Sequence, residues 1–236
     1  MSSGQQPVLA GAIGSRGRTA AGRRGRDRIM NASLDLITEV GIDQVRVAEI
    51  ARRAGMSSGQ VMYYFRSKER ILLETLSWRE HEETAHRRLA LPAVAAGWPR
   101  LRLFADLYLP TSLTDPVWIM WMEAWARAPH DNDVSDFLDQ LMRPWRDDLA
   151  EIVDEGIAER AFRPVRPVES FPVRFCAMLD GLSVLRLRQM PDLTADELTE
   201  MAMQSARAEL TPQEQASGKN NRVAHPTGVE ERPGAS

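Results

Sequence analysis

Four consecutive residues, Ser57, Ser58, Gly59 and Gln60, carry the most suggestive chemistry in this 236-residue sequence. They follow Gly55 and precede Val61, so they open a short helix just after a tight turn. Ser57 can N-cap that helix, and Gln60, three residues on, can reach back to complete a capping box. An amide pairs bidentately with adenine and a hydroxyl contacts several base edges, so such residues at a helix start suit a major groove. Ser57 and the uncommitted backbone N–H groups of the same helix end suit phosphate. Met62, Tyr63 and Tyr64 share the outward face and its edges with Ser58, Gly59 and Gln60. Val61 and Phe65, at i and i+4, are expected to face the preceding helix.

That preceding helix follows from Val47, Ile50, Ala51 and Ala54, spaced i, i+3, i+4 and i+7, with Gly55 as its left-handed terminator. Before it, Ile29, Ser33, Leu36, Ile37 and Val40 form one amphipathic stripe ended by Gly41. A long helix is expected from Ser67 to Ala90, then helices at roughly 98–111, 116–128, 134–158, 168–190 and 194–210. Pro110, Pro116, Pro129, Pro164, Pro167 and Pro191 mark their boundaries, and Pro144 is expected to kink or split the helix at 134–158. No alternating β-branched run with hairpin dipeptides occurs, so the chain reads as all-α. Residues 1–24 and 212–236, rich in Gly, Ser, Pro and polar residues without periodicity, read as disordered tails. Between them lie a helix-turn-helix unit at 25–70 and a larger helical domain at 71–211, about nine helices in all.

The formal charge of −3 hides an asymmetry. Residues 1–70 hold twelve Lys/Arg against six acids, a local charge of +6, which leaves −9 for the other 166 residues. Such a split points to nucleic acid more strongly than the whole-chain value does. Other function classes find little support. His81, His86, His130 and His225 are scattered, and the first pair is spaced five apart, off a shared helix face. Glu82 and Glu83 read as a solvated face, and Cys176 sits in an apolar run as a core residue. No phosphate loop or Ser/His/Asp arrangement is present, so an enzyme is not expected, nor a cofactor or a metal. No apolar stretch is long enough for a membrane span or a signal peptide, and a single cysteine cannot build a disulfide framework. These features suggest a cytoplasmic protein with no membrane partner.

The run from Ile29 to Leu72 resembles the DNA-binding domain of TetR-family transcriptional regulators. Ile50-Ala51, Ala54-Gly55, Ser57, Gly59, Tyr64-Phe65, Ser67-Lys68 and Leu72 carry the resemblance, with their spacing intact. It implies DNA contacts from Arg46, Val47, Ser57, Ser58, Gly59, Gln60, Met62, Tyr63, Tyr64 and Lys68, the lysine touching the backbone. Two positions depart from the pattern. Met62 stands where a phosphate-binding tyrosine is common, so Tyr63 or Tyr64 would take over; Arg46 replaces the usual capping hydroxyl and gains a charge. The resemblance further implies a ligand-responsive homodimeric repressor on a palindromic operator of double-stranded DNA. A transcription activator, or an architectural DNA binder without a ligand, is the alternative.

In the C-terminal part, Trp118, Trp121 and Trp125 recur at i, i+3 and i+7. With Phe104, Tyr108, Met122, Trp145, Phe175 and Met178 they are candidate lining for an adaptable apolar pocket holding a hydrophobic small-molecule effector. Plain core is the competing reading for each. Gly181 lies inside an apolar helix, where glycine costs roughly 1 kcal/mol against alanine, and close approach of a second helix would explain it. The resemblance places the dimer interface on the last two helices. The segments 118–128 and 171–190 are similar to the C-terminal domain of choline-responsive repressors.

Overall fold

A computed structural model describes residues 20–189 and 193–211. Nine α-helices carry the described residues: α1 (Ala20–Val40), α2 (Val47–Ala54), α3 (Ser58–Phe65), α4 (Lys68–Ala90), α5 (Trp98–Tyr108), α6 (Pro116–Arg127), α7 (Asn132–Ala158), α8 (Phe171–Leu187) and α9 (Ala195–Leu210). No strand occurs among them. The remaining parts of the expected tails, 1–19 and 212–236, lie outside the described residues. Residues 20–24 do not belong to a tail; they are the first turns of α1.

Local signals set the element ends. Gly55 terminates α2 at φ 66°, ψ 41°, a left-handed conformation that glycine takes without a Cβ clash. The Ser57 hydroxyl accepts from the Gln60 N–H while the Gln60 side chain accepts from the Ser57 N–H, so the capping box of α3 is complete. Arg46 occupies the N-cap of α2 without any capping bond from its side chain. The apolar stripe of α1 is buried at Ile29, Ser33, Leu36 and Ile37, whereas Val40 is exposed. Pro144 neither splits nor ends α7, which runs through it for 27 residues. Burial of Leu141, Trp145 and Leu149 on either side offsets the single backbone bond the ring removes.

Two hydrophobic cores result. One packs α1–α4 together with one side of α6 and the start of α7, through Ile50, Val61, Phe65, Trp121 and Phe137. The other joins α5, the rest of α7, α8 and α9 around Phe104, Leu149, Phe175 and Leu198. Trp125 and Met142 pack against both. The expected boundary at 70/71 is therefore not a structural seam, because α4 begins at Lys68 and α6 and α7 contribute to both cores. No helix among the described residues is long and apolar enough to cross a membrane.

Candidate nucleic-acid interface and buried pocket

The short α3 stands with its apolar side sealed and its other face open. Val61 and Phe65 are buried, at 0% and 1% exposure, against the first core. Ser57, Ser58, Gly59, Gln60, Met62 and Tyr63 are exposed, Tyr63 at 62%. Arg46 is exposed at the head of α2, with Val47 half-buried beside it. Tyr64 is half-buried, and its phenol lies against α1 at Gly25. Gln60 has a divided role, since its Oε1 already accepts the Ser57 N–H at 2.8 Å. Reading adenine with both amide atoms therefore requires the cap to open. Lys68 donates from Nζ to the Ile42 carbonyl oxygen at 2.9 Å, tying the start of α4 to the loop after α1. Ser67 caps α4 by accepting from the Arg70 N–H.

A second feature lies at the junction of the two cores. A cavity of about 220 Å³ is lined by Tyr108, Trp118, Trp121, Trp125 and Trp145. Neighbouring rings are 4.7–5.9 Å apart between centroids. Five of the nine expected pocket residues thus line it, and the other four do not. Phe104 and Phe175 are core side chains, Met178 packs against that core, and Met122 is 37% exposed at the edge of the tryptophan stripe. Helical spacing identifies a buried face but not which part of it meets a cavity.

The acids of this cavity escaped the sequence reading. Glu80 of α4 accepts the Trp121 Nε1–H at 2.6 Å on one carboxylate oxygen and the Trp145 Nε1–H at 2.9 Å on the other. Burial pushes its acidity towards higher pH, opposed by those two donors and by Arg87. Asp180 of α8 accepts from the Tyr108 hydroxyl at 2.6 Å. Its carboxyl is pushed up to about 6 by burial, against the pull of that hydrogen bond. Glu83 and Asp115 also line the cavity, with Arg79 as the one cationic lining residue. Behind the cage the Arg87 guanidinium lies 3.6 Å from the Trp145 ring centre and pairs with Asp148 at 2.6 Å. A usable signal existed for Glu80: it continues the buried stripe of Leu72 and Leu76 at four-residue steps.

Cys176 is buried, and desolvation pushes its thiol up to about 12, so it packs and does not attack. A Cβ on Gly181 would meet nothing within 4 Å. The close approach expected there is therefore not made within one chain.

Residues 29–75 match the family model for bacterial regulatory proteins of the tetR family, and residues 99–211 match that for the C-terminal domain of BetI-type transcriptional repressors. The HTH-type transcriptional regulator BetI of Klebsiella pneumoniae (strain 342) is 30% identical over 108 residues, 44% of this chain and 55% of that protein. The chain thus spans about half the length of the curated relatives it matches. Among solved structures, a transcriptional regulator from Saccharomonospora viridis in complex with choline superposes with a TM-score of 0.70 at 24% identity, covering 79% of this chain and 96% of that one. A TetR-family regulator from Rhodococcus sp. gives 0.65 at 20% identity, covering 80% and 100%. At these identities the structural likeness establishes the fold. The two family matches carry the assignment further: the chain belongs to the TetR family of transcriptional regulators.

Proposed function

We propose that this protein is a homodimeric repressor that binds a palindromic DNA operator and releases it when a compact organic cation, of the quaternary ammonium class, fills the tryptophan cavity. The observation that carries this reading is the set of rings held around buried carboxylates. Ring faces attract cations, each by about 0.5–2 kcal/mol, most strongly where water is excluded. Four lining acids against Arg79 favour positive charge, so an organic cation suits the cavity better than the purely hydrophobic effector the tryptophans suggest alone. The volume of about 220 Å³ is small beside the roughly 300–1,000 Å³ of drug-sized sites. The choline complex of the Saccharomonospora viridis protein supports the same ligand class.

The arrangement also offers a route between the two sites. Arg79, Glu80 and Glu83 of α4 and Leu34 of α1 line the cavity. The start of α4 holds the loop beside α2 through Lys68. A ligand that prefers one position of α4 shifts the spacing of the two recognition helices, which a palindrome requires at about 34–36 Å. For the dimer, Gly181 leaves open space on α8 for a second copy to approach.

Genomic fragments captured on the immobilised protein supply the operator, and fluorescence anisotropy then follows its release by choline. Choline is expected to bind in calorimetry and to lower operator affinity, with Trp118→Ala weakening choline about tenfold. Operator binding that no quaternary ammonium compound alters, with no heat of binding at millimolar concentration, would overturn the effector assignment.

A further inference from the structure

The family match begins at residue 29, but α1 begins at Ala20. The extra two turns read Ala-Ala-Gly-Arg-Arg-Gly-Arg-Asp-Arg, four arginines against one acid. Glycine within a helix costs roughly 1 kcal/mol against alanine, so two of them need a compensating contact. Both are buried. A Cβ on Gly25 would stand 2.9 Å from the Tyr64 Oη and 3.2 Å from the Met56 Cε. The missing side chain is what lets α1 lie against the recognition helix.

Arg26 fastens this approach. Its guanidinium sits 4.7 Å from the centre of the Phe65 ring, donates to the Tyr64 carbonyl oxygen at 3.4 Å and pairs with Glu74. Arg24 and Arg28 point elsewhere. Both are exposed, and neither forms an ion pair with another described residue. Arg28 lines an open cleft between α1 and α3, of about 560 Å³, with Ala21, Gly25, Ser57, Gly59, Gln60 and Tyr63. Arg24 lies one helical turn before Arg28 on the same side of α1. No carboxylate lines the cleft, and hydroxyl, amide and guanidinium donors do.

We propose that Arg24 and Arg28 form a second phosphate-binding rail, and that a backbone strand of duplex DNA lies in this cleft, held from α1 as well as from α3. The occupant follows from charge complementarity and from continuity with the exposed face of α3. The proposal rests on the DNA-binding reading above, and adds contacts outside the region the family match covers.

The test uses the full chain and a mixed-sequence duplex of about 30 base pairs, titrated by anisotropy across a salt series, because phosphate contacts appear as a slope of about 0.9 each in log affinity against log salt. The double variant R24Q/R28Q is expected to reduce that slope by about two for each engaged protomer and to bind about tenfold or more weakly at low salt. R24K/R28K, which keeps both charges, is expected to restore the slope. Thermal unfolding should be unchanged in both, since neither side chain is buried. An R24Q/R28Q protein with the wild-type slope and affinity overturns the rail, as does a lysine variant that behaves like the glutamine one. A wild-type protein that fails to bind the duplex at any salt overturns the DNA-binding reading itself, a separate outcome.

Discussion

The cleft beside α3 and the cavity beneath α6, proposed to hold opposite charges, are built of opposite materials. The cleft is open, lined by hydroxyl, amide and guanidinium groups, and without a carboxylate. The cavity is lined by five aromatic rings, and two of its carboxylates, Glu80 and Asp180, accept hydrogen bonds from Trp121, Trp145 and Tyr108. An anionic polymer can be held from the surface, because many weak phosphate contacts add up and counterion release contributes. A small cation offers few contacts, so its site must exclude water and fix each ring in advance. The difference predicts that substitutions in the cavity cost folding stability, while those in the cleft mainly cost DNA affinity.

The strongest challenge to that contrast is Glu80→Ala, which strands two buried indole N–H groups. Unpaired buried donors cost about 1–3 kcal/mol each, so urea unfolding is expected to show a loss of about 2–5 kcal/mol. A midpoint no lower than wild type would dissolve the contrast. Gly55→Val places a β-branched residue at φ 66° and is expected to cost about 1–2 kcal/mol, with DNA affinity falling as the angle between α2 and α3 relaxes. Unaltered stability in thermal melts would show that the turn does not need glycine.

Acid offers a probe of the cavity alone. The Asp180 carboxyl is raised to about 6 in the folded chain, above its unfolded value. Its ionisation therefore costs stability as pH rises through about 6, and a bound cation favours the ionised form. Choline affinity is expected to be full above that range and to fall as pH drops below it, by up to about tenfold per unit. Calorimetry at pH 5 and pH 7.5 with a flat response would remove Asp180 from the cation site. Lys68→Ala should have the smallest effect: about 1 kcal/mol of stability from the lost bond to Ile42, and DNA binding weakened alike for all sequences. Weakening confined to one base position would contradict a backbone role.

Much of this was legible in residue order, and the gaps have physical causes. Gly55, Ser57 and Gln60 announced α2, the turn and α3 because caps and terminators are local devices. The tryptophan stripe of α6 was legible from its spacing. Residues 20–24 read as part of a tail because glycine-rich, arginine-rich composition is what tails have. The contacts that hold the start of α1 come from far along the chain, Tyr64 against Gly25, 39 positions apart, and Phe65 and Glu74 against Arg26. Glu80 was hidden in a charged run because its partners, Trp121 and Trp145, come from α6 and α7. For Phe104 and Phe175 the core reading, one of the two left open, is the one the fold supports, because spacing alone does not separate a packed ring from one that borders a void.

The four indoles of the cavity, out of six in the whole chain, have an optical consequence. With the Trp125 ring centre under 6 Å from those of Trp118 and Trp121, the excited states of these three share energy, and the near-ultraviolet dichroism of this protein is expected to be dominated by the one site. The proposed ligand, entering among them, is expected to change emission from most of the chromophores at once. Such a site would serve as its own fluorescent reporter, so that unlabelled material suffices to follow occupancy in real time.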